Sequence, residues 1–436
     1  MISFVTLLLG IVVGARPIEV QAASGVATVE FRLDGQLLVV LPAPPWKTKV
    51  DFGAPAPHEL VAIARDAAGA EIGRAVQRIN VPRSLAEATL TLLPGTGGRG
   101  RTARLAWASA QSEKPERTEL TMDGQPLEPG DFKRIALPDF RPADVHVLRA
   151  VLDFKGGEKA TTELLVGGVK RATPNGPEVM RGETQAELTA VPVIFKGRPP
   201  KESRMDGWFL ADGQPVRVEA VEESSGDIVV VMDEKAGPWL SEFGEPSLDP
   251  AGWYESSLRK GQRLSFCWPG TLQPGDAAPG YDVFLRSREY VALQDGPRVR
   301  LDVRGLLIRV QPPELHGPAR LADAVGVAAL MAARGNRPRA VLLLVAGPDD
   351  ESAMPAGWVR EYLLALRVPL HVWAKNKKVA GGWGKVEVLK DVDDLVAATS
   401  RLTGAVERQR IVWLEGLHLP QAISLSPKAR SVTLVR

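Results

Sequence analysis

The chain has one cysteine, Cys267, in 436 residues. A lone cysteine excludes an intramolecular disulfide, a CxxC redox pair and a thiolate zinc cage. Its five histidines are scattered, with no HExxH or HxH spacing to hold a catalytic metal. Charge of one sign is also missing: 54 basic residues face 52 acidic ones, for a net charge of +2. No Lys/Arg block interleaves with aromatics, so the electrostatic footprint of a nucleic-acid binder is absent. No apolar run reaches the ~20 residues of a membrane span. Glycine and proline are plentiful, at 42 and 35 residues or about 18% of the chain, against a typical ~12%. There is no Gly-X-Y period, so collagen is excluded and the excess means turns and many short strands. At roughly 150 residues per domain, the length suggests about three domains.

Residues 2–15 read ISFVTLLLGIVVGA, followed by Val20-Gln21-Ala22. The run is too short to span a bilayer and has the apolar centre and small-residue end of a secretory leader. Residues 1–22 are therefore expected to be removed on export, leaving a soluble extracytoplasmic protein with no membrane span. No Lys or Arg precedes the run, and the alternative is a buried first strand.

Two segments then share a pattern. VEFRLDG (29–35) is followed by a strand opening at His58, and ELTMDG (119–124) by one opening at His146. Asp34 to His58 is 24 positions and Asp123 to His146 is 23. Asp-Gly supplies the left-handed dihedrals of tight hairpins, and short strands at this spacing argue a β-sandwich. The units, 24–83 and 84–170, resemble bacterial immunoglobulin-like domains through FRLDGQ, the Pro44-Pro45-Trp46 turn and the His58 strand. The two histidines read as edge-strand residues satisfied by a hydrogen bond. PGTGGRGR (94–101) lacks the Gly-Lys-Ser/Thr ending of a phosphate loop and reads as an inter-domain loop. A third β-rich stretch, 171–226, repeats the turn at Asp212-Gly213.

From Asp227 the period changes. IVVVM (228–232) and AVLLLVA (340–346) are continuous apolar runs, as in strands buried on both faces. Residues 319–334, 356–367 and 391–402 carry apolar residues at helical spacing. Asp391 and Asp394 approach a capping box at the start of the last. Alternating strands and helices imply a parallel sheet with right-handed crossovers. Short strands return over 407–436.

DIVVVMDEKAG, HGPARLADAV, AVLLLVAGPDDES and VPLHVWAKN, in that order over 227–406, resemble a von Willebrand factor A domain. They resemble in particular the exported bacterial proteins related to it. The fold class expected is thus immunoglobulin-like β-sandwich repeats followed by a Rossmann-like, von Willebrand A-type α/β domain. The resemblance implies a metal site built from three loops, the first carrying Asp-x-Ser-x-Ser. Here that loop is Asp233-Glu234-Lys235-Ala236-Gly237. The hydroxyl of the second loop falls at Pro318 or Ala319, and the aspartate of the third at Gly347. Hard cations need carboxylate and hydroxyl oxygens, and of these positions only Asp233 supplies one. The metal site is expected to be lost and no cofactor is expected; the alternative is a divalent-cation site rebuilt with Asp349 and Asp350.

In open α/β sheets binding lies beyond the carboxyl ends of the strands. The candidate binding residues are Asp233, Lys235, Asp349 and Asp350, with Trp239 and Trp253 as aromatic anchors if exposed. No GxSxG elbow or GxGxxG after a strand is present, and Cys267 sits in an apolar stretch where thiols are inert. The sequence therefore points to a non-enzymatic protein that binds an unidentified protein partner. The alternatives are a metal-dependent adhesive domain and a carbohydrate-active or hydrolytic enzyme.

Overall fold

The computed structural model describes residues 2–8, 10–82, 86–93, 102–109, 114–139, 145–154, 159–167, 188–243, 258, 260–270, 290–291, 303–310, 318–347 and 349–436. The chain divides into two compact units, Met1–Ala54 with His58–Thr184, and Pro55–Pro57 with Gln185–Arg436. Among the described residues no helix is long and apolar enough to cross a membrane.

The first unit holds two β-sandwiches. In the first, the strands Gln36–Leu41, Thr28–Leu33, His58–Arg65 and Glu71–Ile79 form one sheet, and Ile2–Phe4, Ala15–Ala22 and Lys47–Asp51 the other. Alternate residues of each strand face inward: Val29 and Phe31, Leu60, Ala62 and Ala64, Ile18 and Val20, with Trp46, close one apolar core. The second sandwich repeats the plan. Gln125–Pro126, Arg117–Met122, Val145–Asp153 and Lys159–Gly167 face Ile135–Ala136, Thr102–Ser109 and Ala86–Leu93.

Ile2–Phe4 and Ala15–Ala22, within the segment read above as a leader or a buried first strand, are strands of the first sandwich. Ile2–Phe4 pairs with Ala15–Ala22, Ile2 opposite Ala22, and Ile2, Phe4, Ile11, Val12, Ile18 and Val20 are buried. Two buried amides are satisfied by the same segment. Asn80 accepts from Val12 N at 2.6 Å and donates to Val12 O at 2.9 Å. Gln77 accepts from Leu8 N at 2.6 Å and donates to Thr6 O at 3.0 Å. An apolar run flanked by small residues suits a core segment as well as a leader, and here its backbone and side chains complete a sandwich.

The spacing from aspartate to histidine has a physical cause. Asp34 and Asp123 stand at φ 50° in their turns, and each carboxylate reaches the histidine that opens the third strand. Asp34 Oδ2 lies 2.7 Å from His58 Nδ1, and Asp123 Oδ2 lies 2.6 Å from His146 Nδ1. The other oxygens accept from Glu59 N and Val147 N. The pairs tie each hairpin to its neighbouring strand.

The second unit joins a third β-rich domain to the α/β domain. Leu188–Phe195 pairs antiparallel with Gln409–Glu415 and with Val432–Leu434, and Val218–Glu222 completes that sheet. A second sheet combines Phe209–Ala211 and Gln214–Val216 with Ile423–Leu425. One core, including Val191, Val193, Phe209, Val412, Leu414 and Ile423, joins strands from both ends of the unit. The β-rich stretches before and after the α/β domain are thus two halves of one structure, and the α/β domain is inserted between them.

The inserted domain has a six-stranded sheet in the order Tyr290–Val291, Arg263–Cys267, Asp227–Met232, Arg339–Val345, Leu370–Ala374, Glu387–Val388. All neighbours are parallel except the first pair. The helices Leu321–Arg334, Ala356–Ala365 and Val392–Glu407 fall where the apolar period puts them. Asp391, the N-cap, accepts from Asp394 N at 2.9 Å and so satisfies one of the orphan N–H groups of the helix start, and Asp394 accepts from Lys390 N, just before the cap, at 3.0 Å. The linkers into and out of the domain are fixed to one strand start. Arg337 donates to Ser225 O at 2.7 Å, and Gln409 exchanges two bonds of 2.9 Å with the Arg339 backbone.

Candidate functional site

Asp233 follows the central strand Asp227–Met232 at its carboxyl end and is 7% exposed. Its Oδ2 accepts from Ala346 N at 2.7 Å and Gly347 N at 2.8 Å, and its Oδ1 from Lys235 N at 2.8 Å. The side chain thereby links the loops that follow two adjacent parallel strands. Lys235 lies across Gly347, where a Cβ would meet Lys235 Cδ at 2.7 Å. Its ammonium is paired with Asp349, and both side chains are exposed. Asp233, Lys235, Gly347 and Asp349 therefore meet at one end of the sheet.

Asp350 turns the other way. Its Oδ1 accepts from Leu321 N at 2.9 Å and from Ser352 N at 3.1 Å, so it caps the helix Leu321–Arg334 from a neighbouring loop. Trp239, considered above as an exposed anchor, is 3% exposed. It packs edge-on against Phe243 at 5.7 Å within the sheet's core, because the helix Ala236–Ser241 turns its apolar side inward. Trp253 lies outside the described residues, as does the loop 94–101. Cys267 is buried.

Sequence reading missed Asp323. It is wholly buried, accepts from Arg320 Nε at 2.8 Å and from Ala353 N and Met354 N at 3.0 Å, and its own N–H donates to Ser352 Oγ at 3.1 Å. It holds the loop that carries Asp349 and Asp350 against the helix start. The one available signal was an acid amid the apolar positions of LADAVGVAAL.

The Asp233 oxygens are engaged by three backbone N–H groups, and Lys235 brings a fixed positive charge beside them. Among the described residues no group of three or more His, Cys, Asp or Glu is placed to hold a metal. A cleft of about 820 Å³ in this unit lies at the other end of the sheet, where Ser225, Gly226, Lys260, Gln262, Glu407 and Arg410 line it.

Burial raises the Asp233 carboxyl above its ordinary value, although the N–H groups from Gly347, Ala346 and Lys235 act to lower it. A raised folded value means that Asp233 favours folding fully below the unfolded value near 3.8 and loses that contribution as pH rises through the folded one. Asp233→Asn removes the titration. The melting temperature of the parent relative to Asp233→Asn should therefore fall as pH is raised from about 3.5 to 7. A flat or rising difference would contradict the assignment. Lys235 shifts upward, chiefly through its hydrogen bond to Asp349.

No family model matches this chain, and no curated protein matches it. Among solved structures it is similar to fibronectin(III)-like modules of Clostridium thermocellum CbhA, at 22% identity over 18% of this chain and 93% of that one, with a TM-score of 0.17. It is also similar to the central fibronectin-III array of RIM-binding protein, at 9% identity over 47% of this chain and 80% of that one, TM-score 0.17. A third is a β-glucuronidase from glycoside hydrolase family 2, at 12% identity over 52% of this chain and 32% of that one, TM-score 0.18. Likeness of this size carries no argument about function.

Proposed function

We propose that the chain is a non-enzymatic, extracytoplasmic scaffold that binds a protein partner through a metal-independent, von Willebrand A-type domain. The order of strands and helices over 227–406 supports the family reading, as does the position of Asp233 after the central strand. The observation that carries metal independence is the Lys235 side chain, laid over Gly347 and paired with Asp349 where a cation-binding loop would leave room. The pair presents both charges to solvent, and exposed charge at strand ends favours selection of a partner over tight burial. The extracytoplasmic setting rests on the leader-like apolar run 2–15 and the small-residue end Val20-Gln21-Ala22.

Melting the chain with Mg²⁺, Ca²⁺ or Mn²⁺, and again with a chelator, should give the same midpoint in every case. A cation-dependent rise that Asp233→Ala abolishes would overturn metal independence. Turnover of a generic ester, peptide or glycoside substrate that is lost on a point mutation would overturn the non-enzymatic reading.

A further inference from the structure

The three β-rich domains share one hairpin. Leu33-Asp34-Gly35-Gln36, Met122-Asp123-Gly124-Gln125 and Ala211-Asp212-Gly213-Gln214 each place aspartate at φ 49–50° and glycine at φ 79–80°. In each, the strand after the turn stands at the edge of its sheet. In the second and third domains that strand is short and carries a proline: Gln125–Pro126, reading QP, and Gln214–Val216, reading QPV. In the first it is Gln36–Leu41, reading QLLVVL, with Leu37 where the others have Pro126 and Pro215.

That difference has a defined chemical effect. Leu33 pairs with Gln36 and Arg32 with Leu37. Next to the closing pair of a two-residue hairpin the pair is non-hydrogen-bonded, so the N–H of residue 37 points out of the sheet. Proline there costs no bond within the sheet and deletes one outward donor, a common way of blunting an edge. The first domain keeps its donor. Leu37, Leu38 and Val40 are 56%, 44% and 46% exposed, three of the eight exposed large hydrophobics among the described residues. A bulge after Phe31 sets Leu38 outside the ladder and leaves Val39, Val40 and Leu41 in register with Phe31, Glu30 and Val29.

We propose that Gln36–Leu41 is a strand-addition site and that its occupant is the same strand of a second copy of this chain, antiparallel about a two-fold axis. The strand has no charge, so self-pairing sets aliphatic against aliphatic with no like charges opposed. Charged groups on the adjoining strands are already matched within the sheet: Glu30 with Arg32 and Arg65, and Arg74 with Glu71. A neutral apolar edge calls for a neutral apolar partner, and a copy supplies one by symmetry.

Sedimentation velocity on the full chain, from about 1 to 100 µM, reads the association directly. The parent should populate a dimer within that range. Leu37→Pro, the residue its two sister hairpins use, should weaken the dimer by about tenfold or more with an unchanged melting midpoint. Val40→Lys should do the same, and Val76→Lys, on the opposite edge of the sheet, should not. A chain that stays monomeric at about 100 µM overturns the proposal. So does a dimer that survives both Leu37→Pro and Val40→Lys, or one that yields only to Val76→Lys.

Discussion

A chain lacking residues 1–22 is expected to lose the cooperative unfolding of its first sandwich. The deletion removes Ile2, Phe4, Ile11, Val12, Ile18 and Val20, each at most 6% exposed. Burial of such side chains contributes roughly 1.5–3 kcal/mol apiece, and the sum of about 9–18 kcal/mol is comparable to the ~5–15 kcal/mol that a whole domain has in hand. The loss is compounded at Asn80 and Gln77, whose buried amides would be left without the backbone of residues 6–12. Calorimetry and limited proteolysis should show the strands around Phe31 and Leu60 becoming susceptible, while the α/β domain melts as in the parent. A truncated chain that melts like the parent would show that the strand pair is dispensable. N-terminal sequencing of the protein from cells gives an independent reading: a mature chain that starts after Ala22 and is folded would support the leader assignment and show that the strand pair is dispensable.

The second large effect is expected at Asp323. Asp323→Ala leaves Arg320 without its carboxylate and strands the N–H groups of Ala353 and Met354. Removal of one partner from a buried pair costs about 3–5 kcal/mol. Arg320 keeps some access to water, so the lower end applies, about 3 kcal/mol. In a domain of this size that lowers the melting midpoint by on the order of 10 °C. The local effect should be larger than the global one. Hydrogen exchange at 349–354 should rise well beyond that of the strand Arg339–Val345, because Asp323 is what seats that loop. If exchange rises equally in both, Asp323 supports the core at large and has no particular hold on the loop.

The two effects mark where sequence reading succeeded and where it stopped. The alternation of Asp227–Met232, Leu321–Arg334, Arg339–Val345 and Ala356–Ala365 was legible because each element repeats its own apolar period over a few residues. The Asp391 cap and the Asp-Gly hairpins were legible for the same local reason. The meeting of Asp233, Lys235 and Asp349 followed from the order of elements, since parallel strands bring the loops after them to one edge. The pairing of Leu188–Phe195 with Gln409–Glu415 left no local trace, because register between strands so far apart is set only in three dimensions. Residues 2–15 admit two readings for a related reason: apolarity measures the wish to leave water, and a core and an export apparatus satisfy it equally. For Trp239 the general burial of large aromatics favours packing of a helix onto the sheet over an exposed anchor, although a six-residue helix shows too little period to reveal which side is buried.

The insertion of the α/β domain also fixes an order of events during synthesis. Ile194 must find Gln409, and Val193 must find Leu434, so the strand Leu188–Phe195 emerges from the ribosome more than two hundred residues before its partners. The first two sandwiches and the α/β domain can each close from contiguous chain as they appear. The third cannot: its amino-terminal half has to wait, with Val191 and Val193 uncovered, until Gln409–Glu415 and Val432–Leu434 have been made. The pause is shortened in space by the domain that intervenes. Once the sheet from Asp227 to Ala374 has formed, Arg337 and Gln409 hold its two linkers at one strand start, and the returning chain is delivered beside the strand it must join. The α/β domain thus acts as a jig for the sandwich that encloses its ends, and a chain interrupted before Gln409 would carry a stranded, aggregation-prone half-sheet.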